Sequence, residues 1–291
     1  MQRLLTAVLL MAATASYAQE LATSFETTEV VPGIYMIAGA DAFGGGNMSL
    51  LVGDDYMAMI DDGLVPLAPT LLSHVAETAG RRINFIINTH VHGDHVGGNA
   101  HFAANGTVIL AHDNIRKRLL EDPMPAGGDG GLPVITFGEG VTFHLNGIEA
   151  RVFHIPRAHT DGDAAIYFPA VNVIHAADVM FNHMFPFIDL DSGGTVAGFI
   201  AGQKMLISMA DDETKIIPGH GMLATKADLQ RDLLVLTDSQ ARIKLLVDQG
   251  RTIEEVLETN PLSVYHDDYD WQFITTERMT RTLYRALTTD E

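Results

Sequence analysis

Short apolar runs alternate with helical patterns along most of this chain. The runs are bounded by glycine, proline, asparagine or aspartate, which is typical of buried strands. The predicted strands span residues 30–37, 47–53, 56–61, 84–88, 107–111, 134–137, 141–145, 148–155, 164–168, 171–175 and 215–217. Apolar residues three or four positions apart predict helices over 66–79 and 195–210. Because β-rich blocks alternate with helices, we predict an α/β protein whose helices cover the outer faces of a β core.

The C-terminal part of the chain has a helical pattern and no strand pattern. Helices are predicted over 229–249, 253–258 and 271–287. Their aromatic residues, Trp271, Phe273 and Tyr284, are interpreted as packing residues rather than ligand contacts. With no low-complexity linker before it, we treat residues 19–291 as one domain that carries a helical extension from about residue 225.

The first 18 residues have the pattern of a secretory signal peptide. Arg3 precedes a short apolar stretch, and the small residues Ser16 and Ala18 occupy the positions that a signal peptidase reads. We therefore expect cleavage before Gln19 and a periplasmic or secreted protein, with no stable membrane anchor after cleavage.

The chain is strongly acidic and contains no cysteine. It has 37 acidic and 18 basic residues, which give a formal net charge of −19. A surface of this sign repels phosphate backbones, so a nucleic-acid partner is disfavoured and a small-molecule substrate is expected. Without cysteine, no disulfide can stabilise the protein even in an oxidising compartment.

Four candidate metal ligands lie within six residues after the predicted strand 84–88. His90 and His92 are two residues apart, so in extended backbone their side chains point the same way. Asp94 and His95 follow Gly93, where the chain can turn and present them toward a second point. This stretch can therefore hold two metal ions side by side.

Three further candidates follow predicted strands. His159 lies in a polar segment between two strands, Asp178 ends the stretch 172–178, and His220 lies in a glycine-flanked turn after a strand. A single histidine at a strand end is weak evidence for a metal site. The joint occurrence of all three after the first stretch is much stronger.

With these motifs the chain resembles the metallo-β-lactamase superfamily. The resemblance rests on His-x-His-x-Asp-His at 90–95, His-Thr-Asp-Gly-Asp at 159–163, Asp178, and Pro-Gly-His-Gly at 218–221. It covers residues 30 to 225 and implies a four-layer αββα sandwich with metals at one edge of two β-sheets.

The resemblance also implies an assignment of ligands. One metal would be held by His90, His92 and His159. The other would be held by Asp94, His95 and His220. Asp178 would bridge the two.

These ligand types suit two zinc ions, and they also admit iron or manganese. Two adjacent metals lower the pKa of a shared water toward neutrality, so that hydroxide is available as the nucleophile, and they polarise a substrate carbonyl. Asp94 is the candidate catalytic residue, since it could orient the nucleophile or pass a proton to the leaving group. The substrate pocket is predicted to include Phe43 of a glycine-rich loop, together with Phe181, Asn182 and His183.

Two departures from one large β-lactamase subclass bear on the substrate. That subclass has cysteine at the position of Asp178 and lysine at the position of Phe181, whereas hydrolases such as glyoxalase II have a bridging aspartate. We expect an exported binuclear hydrolase, similar to β-lactamases, that attacks the carbonyl of a β-lactam, a lactone or a related acyl substrate. Alternatives are a thioesterase similar to glyoxalase II, a phosphodiester hydrolase, and, from another class, a mononuclear iron persulfide dioxygenase.

Overall fold

Two β-sheets pack face to face with helices on their outer sides. The computed structural model describes residues 20–289. The predicted signal peptide, residues 1–18, and Gln19 at its cleavage site lie outside this range. Over the described range, the predicted α/β class and the αββα sandwich are confirmed.

The described strands fall into two sheets of seven and six strands, ordered β1-β2-β3-β4-β5-β6-β7 and β13-β12-β11-β10-β9-β8. Their bounds are β1 Phe25–Val31, β2 Ile34–Gly39, β3 Met48–Leu51, β4 Ala58–Ile60, β5 Phe85–Ile87, β6 Val108–His112, β7 Ile135–Phe137, β8 Gly140–Leu145, β9 Ile148–His154, β10 Ala164–Phe168, β11 Val173–Phe181, β12 Lys215–His220 and β13 Ala224–Thr225. Strands β4 to β7 are parallel, as are β11 and β12, and the other pairs are antiparallel.

The helices lie on the outer faces of the sheets and at the C-terminal end. Their bounds are α1 Ala68–Ala79, α2 Gly93–Val96, α3 Asn99–Ala104, α4 Asp113–Glu121, α5 Val196–Met209, α6 Lys226–Asp248, α7 Ile253–Thr259, α8 His266–Tyr269 and α9 Thr276–Thr288. None of the helices within residues 20–289 combines the length and the apolar character needed to cross a membrane.

The main core lies between the two sheets. Ile60 and Ile87 of the first sheet pack there with Ile166 and Ile217 of the second. A second cluster of buried apolar residues packs α1 and α3 against the first sheet. A third such cluster packs α5 against the second sheet. Burial of these apolar faces, at roughly 25 cal/mol per Å², stabilises the four layers and fixes the relative position of the two sheets.

The sequence prediction was wrong in several details. Residues 30–37 were predicted as one strand, but they are the turn region of the β1–β2 hairpin, with Gly33 in the left-handed region at φ 84°. The sequence suggests Asp113 as the cap of a helix over 114–120, but α4 is capped by the His112 side chain, which accepts a hydrogen bond from the Asn114 backbone N–H. Strand β11 continues past Asp178 to Phe181, so Asp178 lies within its strand rather than at its end.

The segment before α9 also differs from the predicted helix over 271–287. Residues 270–275 form a connection in which the Trp271 indole donates a hydrogen bond to the Phe185 carbonyl at 2.9 Å. The Asp270 carboxylate accepts from the Thr276 N–H at 2.7 Å, close to the start of α9. This connection brings Trp271 and Phe273 to the edge of the sandwich rather than into a helix–helix contact.

Candidate metal centre

One edge of the sandwich collects all seven candidate ligands. The carboxyl ends of parallel strands meet at the same edge of a sheet, so the segment after β5 lies there, as do the ends of β11 and β12. Strand β10 runs antiparallel to β11, which brings His159, a few residues before β10, to that edge too. The topology therefore brings segments that are far apart in the sequence together at one edge of the sandwich.

The first ligand group consists of His90, His92, His159 and Asp178. Each offers one ligand atom, and these atoms all lie within 4.8 Å of one another. The second group consists of Asp94, His95 and His220, whose ligand atoms also lie within 4.8 Å of one another. The structure thus places the seven candidate ligands in two adjacent groups, with Asp178 in the first.

Asp178 lies between the groups. One carboxylate oxygen is 3.1 Å from His95 Nε2, and the other is 3.4 Å from His159 Nε2 and 3.5 Å from His220 Nε2. The preceding residue, Ala177, has φ 47°, and the register of β11 with β12 shifts on both sides of it. A non-glycine residue in the left-handed region is strained. Here the strained turn of the strand directs the carboxylate toward both groups.

Two nitrogens of the first group face each other without a proton between them. His159 donates from Nδ1 to the Phe187 carbonyl at 2.7 Å, and His92 donates from Nε2 to the Asp189 carboxylate at 2.9 Å. These partners place the ring protons on the outer nitrogens, so His159 Nε2 and His92 Nδ1 present lone pairs to each other at 2.8 Å. Two converging lone pairs are a donor set for a cation.

His95 is oriented by a buried carboxylate that the sequence analysis did not identify. Its Nδ1 donates to Asp61 at 2.7 Å, and Asp61 also accepts from the Thr89 N–H and hydroxyl. Asp61 follows β4 and has φ 59°, another strained position at this edge. A carboxylate behind a ligating histidine fixes its ring orientation and raises its basicity.

Several buried polar atoms in the centre have no hydrogen-bond partner within the described chain. They are His90 Nε2, His95 Nε2 and Asp178 Oδ1. Orphaned buried acceptors are costly, so such groups call for an explanation, and a metal ion is one. Imidazole nitrogens and carboxylate oxygens are also the donors that zinc, iron and manganese accept. The residues present therefore fit a metal centre.

The electrostatics of the centre favour a cation as well. Burial lowers the pKa of His159 to about 4, although Asp178 opposes this. Burial alone would raise the pKa of Asp178, but the surrounding imidazoles, His95 foremost, hold it well below its usual range. Neutral imidazole and ionised carboxylate are the ligand forms that bind metal.

Two glycines come so close to the ligands that no side chain fits. A Cβ on Gly46 would lie 2.1 Å from the ring of His95, and one on Gly219 would lie 1.9 Å from a carboxylate oxygen of Asp178. The Gly46 N–H donates to the Asp94 carbonyl, and the Asn47 N–H donates to the Gly219 carbonyl. Backbone hydrogen bonds thus hold the glycine-rich loop against the edge of the sandwich that carries the ligand groups.

Gly46→Ala is expected to displace His95 and so lower the metal occupancy of the second group by at least about tenfold at limiting metal, as in other substitutions that misplace a ligand. Metal titration followed by calorimetry measures this. The matched control is Gly138→Ala, where a Cβ would lie 3.8 Å from a carboxylate oxygen of Asp113, an ordinary van der Waals contact. Equal metal affinity in the two variants would contradict the steric role of Gly46.

Asp189 positions His92 from outside the ligand groups. Its Oδ2 accepts from His92, and its Oδ1 accepts from the N–H groups of Asp191 and Ser192. Burial opposes ionisation, but the hydrogen bond from His92 and the other donors hold the pKa of Asp189 below its usual range. Its ionised carboxylate therefore remains available to fix the His92 ring.

Asp189→Ala is expected to weaken metal binding about 10- to 100-fold, because His92 loses the partner that fixes its tautomer. Asp189→Asn should restore part of the loss, since its amide oxygen can still accept the proton. A competition assay with a metal chelator measures the affinity. The control is Asp191→Ala, which removes an exposed carboxylate that pairs with Arg285. If both alanine variants bind metal equally, Asp189 has no positioning role.

A cavity of about 450 Å³ opens above the two ligand groups, and His92, Asp94, Asp178 and His220 reach its floor. Of the predicted pocket residues, Phe43 and Phe181 line it. The Asn182 amide instead donates to the Met222 carbonyl.

His183 is exposed, and it does not line the cavity. It has φ 60° directly after β11, where the chain turns. This turn places Asn182 and His183 away from the cavity that Phe181 faces.

The sequence analysis assigned Trp271 and Phe273 to packing, but both line the cavity, as does Phe187. The helical pattern assigned to 271–287 gave no signal for this placement, which depends on the connection at 270–275. Tyr284 has its hydroxyl bonded to the Arg251 carbonyl and is not among the lining residues.

Fold and site together define a protein of two packed β-sheets with its candidate metal ligands at their shared edge. The model of the metallo-β-lactamase superfamily matches residues 41–220, which include all seven candidate ligands. The chain belongs to the metallo-β-lactamase superfamily.

Individual relatives agree with this placement. The chain is 26% identical over 152 residues to 2,4-dinitroanisole O-demethylase subunit alpha of Nocardioides sp. This match covers 52% of this chain and 44% of that protein. It is 31% identical over 106 residues to hydroxyacylglutathione hydrolase of Methylococcus capsulatus. This match covers 36% of this chain and 37% of that protein. The chain thus matches less than half the length of either relative.

Solved structures share the fold. A metallo-β-lactamase from Pontibacter korlensis superposes with a TM-score of 0.63 at 16% identity, and the match covers 74% of this chain and 100% of that one. At this identity the likeness shows the fold and does not choose a substrate.

Proposed function

We propose that this protein is an exported binuclear metal-dependent hydrolase, zinc-loaded, that cleaves a β-lactam, a lactone or a related acyl substrate. The observation that carries the proposal is the carboxylate of Asp178, which approaches imidazoles of both ligand groups within 3.5 Å. A bridging carboxylate between two donor groups suits a pair of cations better than a single one.

His90, His92 and His159 would hold one metal, Asp94, His95 and His220 the other, and Asp178 would bridge them. When bound, such a pair supplies an activated water and polarises a carbonyl oxygen. The chain's own residues supply the rest. Asp61 and Asp189 orient imidazoles, and the aromatic walls of the cavity exclude bulk water from the reacting groups.

Asp94 is the proposed catalytic carboxylate. Its Oδ2 is 3.4 Å from His220 Nε2 and 3.6 Å from His95 Nε2, and it lines the cavity floor. It is also less buried than Asp178, with 22% of its side chain exposed against 5%. From this position it can orient a nucleophile and pass a proton to the leaving group.

A thioesterase is the second candidate, because several curated relatives are named hydroxyacylglutathione hydrolase. A phosphodiester hydrolase and a mononuclear iron persulfide dioxygenase would use comparable metal ligands. The fold does not distinguish these two activities from acyl hydrolysis, so an experiment must.

The test combines metal analysis of the purified protein with a substrate panel of a cephalosporin, a lactone, a thioester, a phosphodiester and a persulfide. About two zinc ions per chain with turnover of the cephalosporin or the lactone would support the proposal. One iron per chain with oxygen uptake on the persulfide would overturn it, and turnover of the thioester alone would favour the second candidate. Expression with the native N-terminus, followed by fractionation, tests export.

A further inference from the structure

We propose that the cavity binds an uncharged carboxylic ester or lactone through an apolar substituent, and that it disfavours substrates carrying a carboxylate. This inference rests on the proposed hydrolytic function and narrows it to a substrate class.

The walls of the cavity are aromatic and aliphatic on both sides of the ligand groups. Phe43 stacks on the His220 ring at 6.1 Å with an interplanar angle of 10°, and Trp271 lies 6.0 Å from the same ring. Phe273 continues this wall, 5.6 Å from Trp271. A group bound above His220 is therefore enclosed by aromatic surface that arises from both ends of the chain.

The charged groups of the lining are all on the ligand floor. Asp94 and Asp178 are the acidic residues that reach the cavity, and no lysine or arginine of the described chain lines it. An anionic substituent lying away from the ligand floor would have no cationic side chain to pair with. Burying an unpaired charge is strongly unfavourable, and the net charge of −19 repels anions in addition.

The guanidinium groups closest to the cavity are engaged elsewhere. Arg278 lies over the Phe273 ring at 4.1 Å and donates to the Phe273 carbonyl, so it supports the wall. Arg118 lines a neighbouring depression, where it forms two hydrogen bonds of 2.8 Å with Asp161. Neither arginine is among the residues that line the cavity.

The reaction is a simple hydrolysis. A water oxygen bonds to the acyl carbon and the acyl–oxygen bond breaks. One proton of the water passes to the leaving alkoxide, and the other is released to solvent. A neutral ester and water thus become a carboxylate, an alcohol and a proton. The apolar walls stabilise the substituent of the substrate but offer no partner to a charge placed on it.

The first measurement compares 4-nitrophenyl pentanoate with mono-4-nitrophenyl glutarate on the metal-loaded protein. The two esters share a leaving group and differ in a terminal methyl against a terminal carboxylate. We expect kcat/KM to be at least about 30-fold higher for the pentanoate. Values within threefold of each other, or a preference for the glutarate, would overturn the proposal while leaving the hydrolytic function intact.

Variants test the walls. Phe273→Ala should lower kcat/KM for the pentanoate about tenfold, mainly through KM, and change the acetate ester much less. Val65, 46% exposed and at the cavity lining, can be replaced without disturbing the core. Val65→Lys should raise kcat/KM for the glutarate about tenfold. Tyr56→Ala, which removes an exposed aromatic outside the lining, should change neither ester.

A binding measurement separates this proposal from the hydrolytic one. Trp271 is the single tryptophan of the chain, so its fluorescence reports on the cavity. In protein stripped of metal, 4-nitrophenyl pentyl ether should quench it at a concentration at least about tenfold lower than 5-(4-nitrophenoxy)pentanoate. If neither ester is hydrolysed but this difference is found, the hydrolytic function fails and the cavity preference stands. Equal quenching contradicts the preference itself.

Discussion

His92→Ala is expected to lower kcat/KM of the metal-loaded protein by at least about 10³-fold toward every acyl substrate that the parent hydrolyses. Its Nδ1 faces His159 Nε2 at 2.8 Å, so the variant loses one of two converging donors of the first group. Metal activation contributes several kcal/mol to such a reaction, and each 1.36 kcal/mol corresponds to about a tenfold change in rate.

The same variant should fold. The His92 side chain is 22% exposed and lies at the edge of the sandwich rather than between its sheets. We expect the free energy of unfolding of the metal-free protein to change by no more than about 1 kcal/mol. His183→Ala is the control, because this exposed histidine lies close in sequence to the cavity segment but does not line the cavity. If His92→Ala and the parent hydrolyse the same substrates equally, the metal mechanism is wrong.

Asp178→Ala is expected to reduce bound metal from about two ions per chain to about one, with the second group losing more than the first. The first group retains three imidazoles, whereas the second retains two imidazoles and a carboxylate. The shortest contact of Asp178 is also to the second group, at 3.1 Å from His95 Nε2. Elemental analysis across a metal titration measures the stoichiometry.

Asp178→Asn provides the matched control for packing, since it keeps the shape of the side chain and removes its charge. It should retain the fold, as judged by circular dichroism, and still show the lower stoichiometry, because a neutral amide is a poorer bridging ligand than a carboxylate. Equal loss of metal from both groups would undo the assignment of Asp178 as the bridge. Two tightly bound ions in both variants would rule it out altogether.

The ligand residues were predictable because they lie in short motifs. His90, His92 and His95 follow an apolar run with a spacing that chelation alone explains, and His220 lies in a similarly local turn. The α/β class was predictable for a related reason. Buried strands such as β5 are continuous apolar runs, which the two-sided burial of parallel sheets requires.

Other residues of the site are not marked by any local motif in the sequence. Asp61 orients His95 across 34 residues, and Asp189 orients His92 across 97. An aspartate at a strand end or in a loop has many ordinary roles, so only its contact in the folded chain reveals this one. The strain at Ala177 is equally invisible in the sequence, since alanine rarely adopts a positive φ.

By itself, therefore, the sequence predicted the α/β class and the candidate metal ligands, because hydrophobic periodicity and chelating spacing are local properties of a chain. The two-sheet sandwich was expected from the resemblance to the metallo-β-lactamase superfamily. Only the tertiary structure decided what surrounds the ligands. Trp271 and Phe273 reach the cavity because the connection before α9 is held to the Phe185 carbonyl. That contact joins residues 86 positions apart, and no periodicity in either segment encodes it.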